Sequence, residues 1–185
     1  MSKFTIHNLE TAPEKSKPLL EASQQAYQMI PNLHGVMAEA PGLLEGYQQL
    51  GKLFEQTSFD AEELTVVWQT VNVEHECHYC VPAHTGIAHS MKVDPALTEA
   101  LRNRQPMPND KLQALQDTVL ILVRNRGHIS DDEVKRFYDA GYGQQQLLEI
   151  ILGIAMKVMS NYTNHIADTP VDKPFQPFAW DPKDS

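Results

Sequence analysis

Residues 60–84 read DAEELTVVWQTVNVEHECHYCVPAH, and two patterns overlap in them. Leu64, Val67, Trp68 and Val71 recur at i, i+3, i+4 and i+7, one face of a helix. Asp60, with Glu63 three residues on, supplies a cap and its reciprocal acidic partner at the start of that helix. The second pattern takes over near Cys77. If a new helix begins there, Cys77, Cys80, His84, Ile87 and Met91 fall on one stripe, at spacings of 3, 4, 3 and 4. Pro82 is tolerable only in an early turn of such a helix, where a missing N–H costs little.

Helical periodicity continues on both sides. Leu112, Leu115, Val119 and Leu122 repeat the pattern, with Gly127 as a stop signal. Ser130 and Glu133 open a short helix that closes near Gly141. Leu147, Ile150, Ile151, Ile154, Val158 and Tyr162 mark a long one, apolar enough to be central. Upstream, Lys15 to Ile30 and Leu43 to Phe54 read as helices, with Pro31 and Pro41 as breaks. Asp94-Pro95 starts another through about Asn103, and Arg104 to Asn109 is a linker. No run alternates as a strand does. The expectation is an all-α, single-domain bundle over 1–185, with seven to nine helices. Its last part, 169–185, is a separate kind of segment. Four prolines forbid a continuous helix there, yet Phe175, Phe178 and Trp180 are costly to leave in water. An arm lying in a groove, of its own domain or of a neighbouring subunit, satisfies both demands.

A formal charge of −9, with no cluster of Lys and Arg, argues against nucleic acid as a partner. The longest apolar stretch, Val119 to Val123, is far short of the ~20 residues that span a bilayer. The first residues lack the apolar centre of a signal peptide. A soluble, cytoplasmic protein without membrane partners is expected. Its two cysteines share one C-x-x-C, which in a reducing compartment points to a reactive dithiol or half of a metal site.

The chemistry follows from the placement. Cysteines at i and i+3 on a helix lie about 5 to 5.5 Å apart at Cα, within the range a disulfide permits. The first turn of a helix favours thiolate over thiol. His84, one turn past Cys80, can take or relay the proton, and a carboxylate such as Glu74 or Glu76 can orient the imidazole. Peroxide attack would give a sulfenic acid, which the second thiol condenses to a disulfide. The main rival is zinc held by Cys77, Cys80 and His84 with His75, His78 or His89. Two buried structural cysteines are the bland alternative.

C-x-x-C-x-x-x-H in an all-helical chain, matched from about Leu43 to Met91, resembles the alkylhydroperoxidase D / carboxymuconolactone decarboxylase superfamily. A weaker likeness, from Leu147 through Asn161-Tyr162-Thr163-Asn164-His165 to Trp180, is to the peroxidase-related branch. The resemblance implies a helical homo-oligomer, trimer or hexamer, that works without bound cofactor or metal. It would reduce a hydroperoxide at the expense of a thiol or dithiol reductant. It also implies that Cys80 becomes the sulfenic acid, that Cys77 resolves it and that His84 relays the proton. A non-redox decarboxylase would not need the dithiol. One departure stands out. The family's relay glutamate lies twelve residues before the first cysteine, and that position is Thr65 here. Glu74 is the preferred replacement, because it lies three residues from Cys77, and Glu62 is the other candidate.

Overall fold

The computed structural model describes residues 2–182, so Met1 and the last three residues of the expected arm lie outside the described residues. Among the described residues there are nine α-helices and no strand. They are α1 (Lys17–Tyr27), α2 (Asn32–Met37), α3 (Pro41–Glu55), α4 (Ala61–Glu74), α5 (Cys80–Ser90), α6 (Pro95–Arg102), α7 (Asp110–Arg124), α8 (Asp131–Asp139) and α9 (Gln144–Ala167). Two 3-10 turns, Glu14–Ser16 and Lys173–Phe178, flank the set. The capping boxes at Asp60 and Ser130 form as the sequence predicts, each with its glutamate reaching back to the cap N–H. Pro41, expected to be a break, is instead the first residue of α3, where its missing N–H would have had no partner anyway.

The centre of the bundle is α4. Every residue from Glu63 to Val73 is buried, not one face alone, because α5, α6, α7 and α9 all pack against it. Its polar residues Gln69 and Asn72 therefore turn into protein and bond within it, while the Thr70 hydroxyl is buried without a partner among the described residues. By contrast α9, expected to be central, is only half covered. Its buried side runs Ile150, Gly153, Met156, Lys157, Ser160, Asn161, Asn164 and Ala167, while Leu148, Ile151, Tyr162 and Ile166 are exposed along the opposite side. Of the apolar stripe that marked the helix in the sequence, Ile150 is buried, Leu147, Ile154 and Val158 are partly covered, and Ile151 and Tyr162 face outward.

Between α4 and α5 the chain turns in a way that sets the dithiol. Glu76 takes a left-handed conformation with φ of 52°. Its N–H bonds to Val73 O, and the Cys77 N–H reaches back to Asn72 O at 2.9 Å. This is a Schellman closure with glutamate where glycine is usual. Cys77 O then accepts from Val81 N–H at 3.1 Å, so helical bonding starts at Cys77, while the regular helix begins at Cys80.

Where α9 crosses α3 and α4, Gly153 leaves no room for a side chain. A Cβ there would sit 2.7 Å from Phe54 and 2.8 Å from Val67. Gly153→Ala gains about 1 kcal/mol in helix propensity. Against that stands overpacking of about 1–3 kcal/mol between two immobile side chains. The clash wins, so the variant should unfold at a lower temperature than the parent by thermal denaturation. A higher midpoint would show that the crossing is looser than described.

Candidate active site

Cys77, Cys80 and His84 are brought together at the inner end of a cavity of about 400 Å³. Its walls come from α1 to α5, α9 and the C-terminal segment, and include Leu33, His34, Tyr47, Tyr79 and Phe175. Both thiols are free and buried, and of the two only Cys80 lines the cavity. The Cys77 sulfur accepts a hydrogen bond from the Cys80 backbone N–H at 3.3 Å, as a capping side chain would. Asn164 Nδ2 donates to Cys80 Sγ at 3.2 Å.

The decisive neighbour is Lys157, which the sequence reading passed over. It is fully buried on the inner side of α9, and its Nζ lies 2.7 Å from His84 Nε2. Burial pushes the Cys80 thiol up, but the Cys77 thiol, the Lys157 ammonium and the Ser160 and Asn161 side chains more than offset it, leaving a pKa of about 5. Cys77 moves the other way, raised by burial and by the charge on Cys80. The two sulfurs are thus split into a thiolate that faces the cavity and a thiol behind it. His84 is held neutral well below its usual range, by burial first and then by the Lys157 charge. Burial lowers Lys157 as well, and the Cys80 and Cys77 sulfurs counter it.

Glu74 is not brought to this cluster. Its carboxylate makes a two-pronged pair with Arg124 of α7, at 2.7 and 2.8 Å, and it faces a separate groove. Thr65, at the position of the family's glutamate, bonds its own helix at Ala61 O. The remaining histidines of the motif also diverge. His75 meets Asn161 at 2.9 Å, His78 meets Thr169 O at 3.0 Å, and the His89 ring packs edge-on against Phe178. Among the described residues no three His, Cys, Asp or Glu side chains converge as a metal site would require. An ammonium beside His84 would also repel a cation there.

A chain of buried amides fixes the helices behind the sulfurs. Asn161 donates to Asn72, Asn72 to Gln69, and Gln69 to Thr85 and Val81 O. Arg102 donates to Thr85 and to the Phe178 carbonyl, which carries the chain to the C-terminal segment.

That segment folds back on its own subunit. Tyr79, between the cysteines, donates to Asp172, and Asp172 accepts from the Asn32 N–H at 3.0 Å. Trp180 Nε1 donates to Arg102 O. Phe175 and Phe178 lie over Gly86, where a Cβ would come within 2.7 Å of the Phe175 ring. Phe175 and Pro174 thereby wall the cavity.

These helices and their order match known structures. A peroxidase-related protein with an alkylhydroperoxidase D core from Ralstonia eutropha superimposes with a TM-score of 0.82 at 15% identity, covering 94% of each chain. The fold is that of alkylhydroperoxidase D. A peroxidase-related protein from a Silicibacter species superimposes at 0.77, with 16% identity over 94% of each chain. The debrominase Bmp8 in complex with 2,3,4-tribromopyrrole also scores 0.77, with 16% identity over 96% of this chain and 95% of that one. No sequence-family profile and no curated protein matches the chain by sequence.

A thiolate with a pKa of about 5 has a measurable signature. Iodoacetamide should label Cys80 at a rate that is flat near neutral pH and falls as pH drops through about 5, with Cys77 unlabelled, as read by mass spectrometry. Glu74→Gln, which loosens only the Arg124 pair, should leave that profile in place. A midpoint near the ordinary thiol value of roughly 8.5 would mean that Lys157 does not hold the anion.

Proposed function

We propose that this chain is a cysteine-dependent peroxidase or thiol–disulfide oxidoreductase, in which Cys80 attacks and Cys77 resolves. The observation that carries the reading is geometric: Cys80 faces the cavity, the Cys77 sulfur lies directly behind it, and the fully buried Lys157 amine shares the same wall. A thiolate attacks a peroxide oxygen and becomes a sulfenic acid, and a neighbouring thiol closes the disulfide. A thiol or dithiol reductant must then reopen it, which suits a reducing compartment such as the cytoplasm. No helix among the described residues is long and apolar enough to cross a membrane.

The test is consumption of an organic hydroperoxide with a dithiol supplied. Cys80→Ser should abolish it. Cys77→Ser should stop turnover after one equivalent and leave a sulfenic acid on Cys80, trapped by dimedone. Trapping on Cys77 in a Cys80→Ser chain, with turnover kept, would reverse the assignment.

The aromatic wall of the cavity favours a second reading. Tyr27, His34, Tyr47, Trp68, Tyr79 and Phe175 would suit a flat aromatic substrate. Bmp8 is a debrominase, and two thiols can remove bromine from an aromatic ring, giving the hydrogen-bearing ring, a disulfide and hydrogen bromide. Bromide release from a bromopyrrole, with no hydroperoxide consumed, would favour that chemistry.

The reading extends to assembly. Leu148, Ile151, Ala155, Tyr162 and Ile166 form an exposed apolar stripe along α9, with the spacing of a helix-pairing seam. A homo-oligomer, trimer or hexamer, would cover it. Light scattering should give a mass above the monomer at micromolar concentration, and Ile151→Glu with Tyr162→Glu should lower it. A monomeric parent chain would end this part of the proposal.

A further inference from the structure

His84 and Lys157 have a polarity that a carboxylate–histidine pair does not. An ammonium carries donors only, so at the 2.7 Å contact Lys157 Nζ donates and His84 Nε2 accepts. The ring proton must then be on Nδ1. That nitrogen is buried and has no partner among the described residues, although His84 lines the cavity into which Cys80 faces. A buried donor left without an acceptor is a rare feature of folded proteins and calls for an explanation. The carboxylate expected to stand beside the imidazole is tied to Arg124 instead. The other titratable groups lining the cavity are Tyr27 of α1, His34 of α2, Tyr47 and Glu55 of α3, and Tyr79 beside Cys80, with the Cys77 thiol behind Cys80. Among the described residues none of them hydrogen-bonds to His84.

Building on the reading of Cys80 as a peroxide-attacking thiolate, we propose that His84 and Lys157 form a proton-delivering relay. His84 Nδ1–H protonates the oxygen that leaves, and Lys157 restores a proton at Nε2. The Cys80 sulfur forms a bond to the terminal oxygen of R–O–O–H, and the O–O bond breaks. Sulfur is oxidised to the sulfenic acid, the peroxide is reduced, and the alkoxide takes the Nδ1 proton to leave as alcohol. Thiolate, hydroperoxide and ammonium become sulfenic acid, alcohol and neutral amine. Cys77 then attacks the Cys80 sulfur, and the hydroxide displaced leaves with the Cys77 proton as water. When an external dithiol reopens the disulfide, the regenerated Cys80 thiol gives its proton to His84 Nδ1 while Nε2 returns its own to the Lys157 amine, so that both the ion pair and the starting tautomer are restored. His84 is the catalytic acid in this scheme, and Lys157 is the positioning residue that loads it. The ammonium thus serves both ends of the step, stabilising the thiolate before attack and supplying the proton that the departing alkoxide takes.

The leaving group supplies a test that a purely structural role would not pass. An alkoxide needs the proton, whereas the carboxylate released from a peracid does not. Sulfenic acid formation in the Cys77→Ser chain is measured by stopped flow with cumene hydroperoxide and with peracetic acid, for the parent, His84→Gln, Lys157→Met and Lys157→Arg. Rates are compared at a pH where alkylation shows Cys80 ionised in each. His84→Gln and Lys157→Met should lose roughly 100-fold with cumene hydroperoxide, a general-acid-sized effect, and only a few-fold with peracetic acid. Lys157→Arg, which keeps the charge but cannot give up a proton, should keep Cys80 ionised without recovering the alkyl hydroperoxide rate, and a full recovery would overturn Lys157 as the proton source. Equal losses with both oxidants would overturn the relay while leaving Cys80 as the nucleophile. Should Lys157→Met fail to fold, the ratio for His84→Gln decides alone. A parent chain that forms no sulfenic acid with either oxidant would overturn the peroxidase reading itself, and the relay with it.

Discussion

Lys157 is held where water does not reach it, and a buried ammonium is tolerable only beside an anion and an acceptor. Taking such an ion out of water costs several kcal/mol even after the protein relaxes, so its partners are not optional. Here the anion is Cys80 and the acceptor is His84, and both reach the lysine from α5. α5 is fixed in turn by the Schellman closure that ends α4. The amide chain from Asn161 through Asn72 and Gln69 to Thr85 holds α9, α4 and α5 in mutual register. A shift of any of these three helices would separate the charge from its partners, which makes the polar layer as demanding as the apolar core around it.

That layer also explains why so much of α4 is buried. A helix covered on all sides usually carries few polar side chains, yet Gln69, Thr70 and Asn72 are all inside. The amides satisfy one another in a single direction, each donating to the next, so none needs water. The chain leaves the core through Arg102, whose guanidinium holds the Phe178 and Ala179 carbonyls. The cavity wall formed by Phe175 is therefore anchored to the same network that holds the sulfurs.

The sequence was legible where interactions are local. The caps at Asp60 and Ser130 and the helical stripe of α7 each lie within a dozen residues, and the structure reproduces them, while Cys77 sits three residues ahead of α5 and not on it. α2 escaped notice because six residues behind Pro31 are too few to show a period. Its His34, whose pKa burial lowers to about 4, escaped with it. Lys157 was missed for a different reason. A lysine in an apolar run normally reads as a solvated face, and its partner His84 is 73 residues away. A signal was nevertheless present in Lys157, Ser160, Asn161 and Asn164, a polar stripe at helical spacing on a helix otherwise rich in apolar residues. Glu74 misled in the opposite sense. Proximity in sequence to Cys77 suggested contact, but the last turn of α4 points its carboxylate at α7.

The buried lysine has a further consequence for the dithiol as a redox couple. Only the reduced form offers Lys157 an anion, because a disulfide carries no charge. Every contribution that holds Cys80 as thiolate therefore stabilises the reduced state relative to the oxidised one, by the same free energy that lowers its pKa. Stabilising the reduced side moves a thiol–disulfide couple to a less negative potential. A disulfide closed between Cys77 and Cys80 would accordingly be readily reduced, suited to accept electrons from thiols rather than to persist as a structural cross-link.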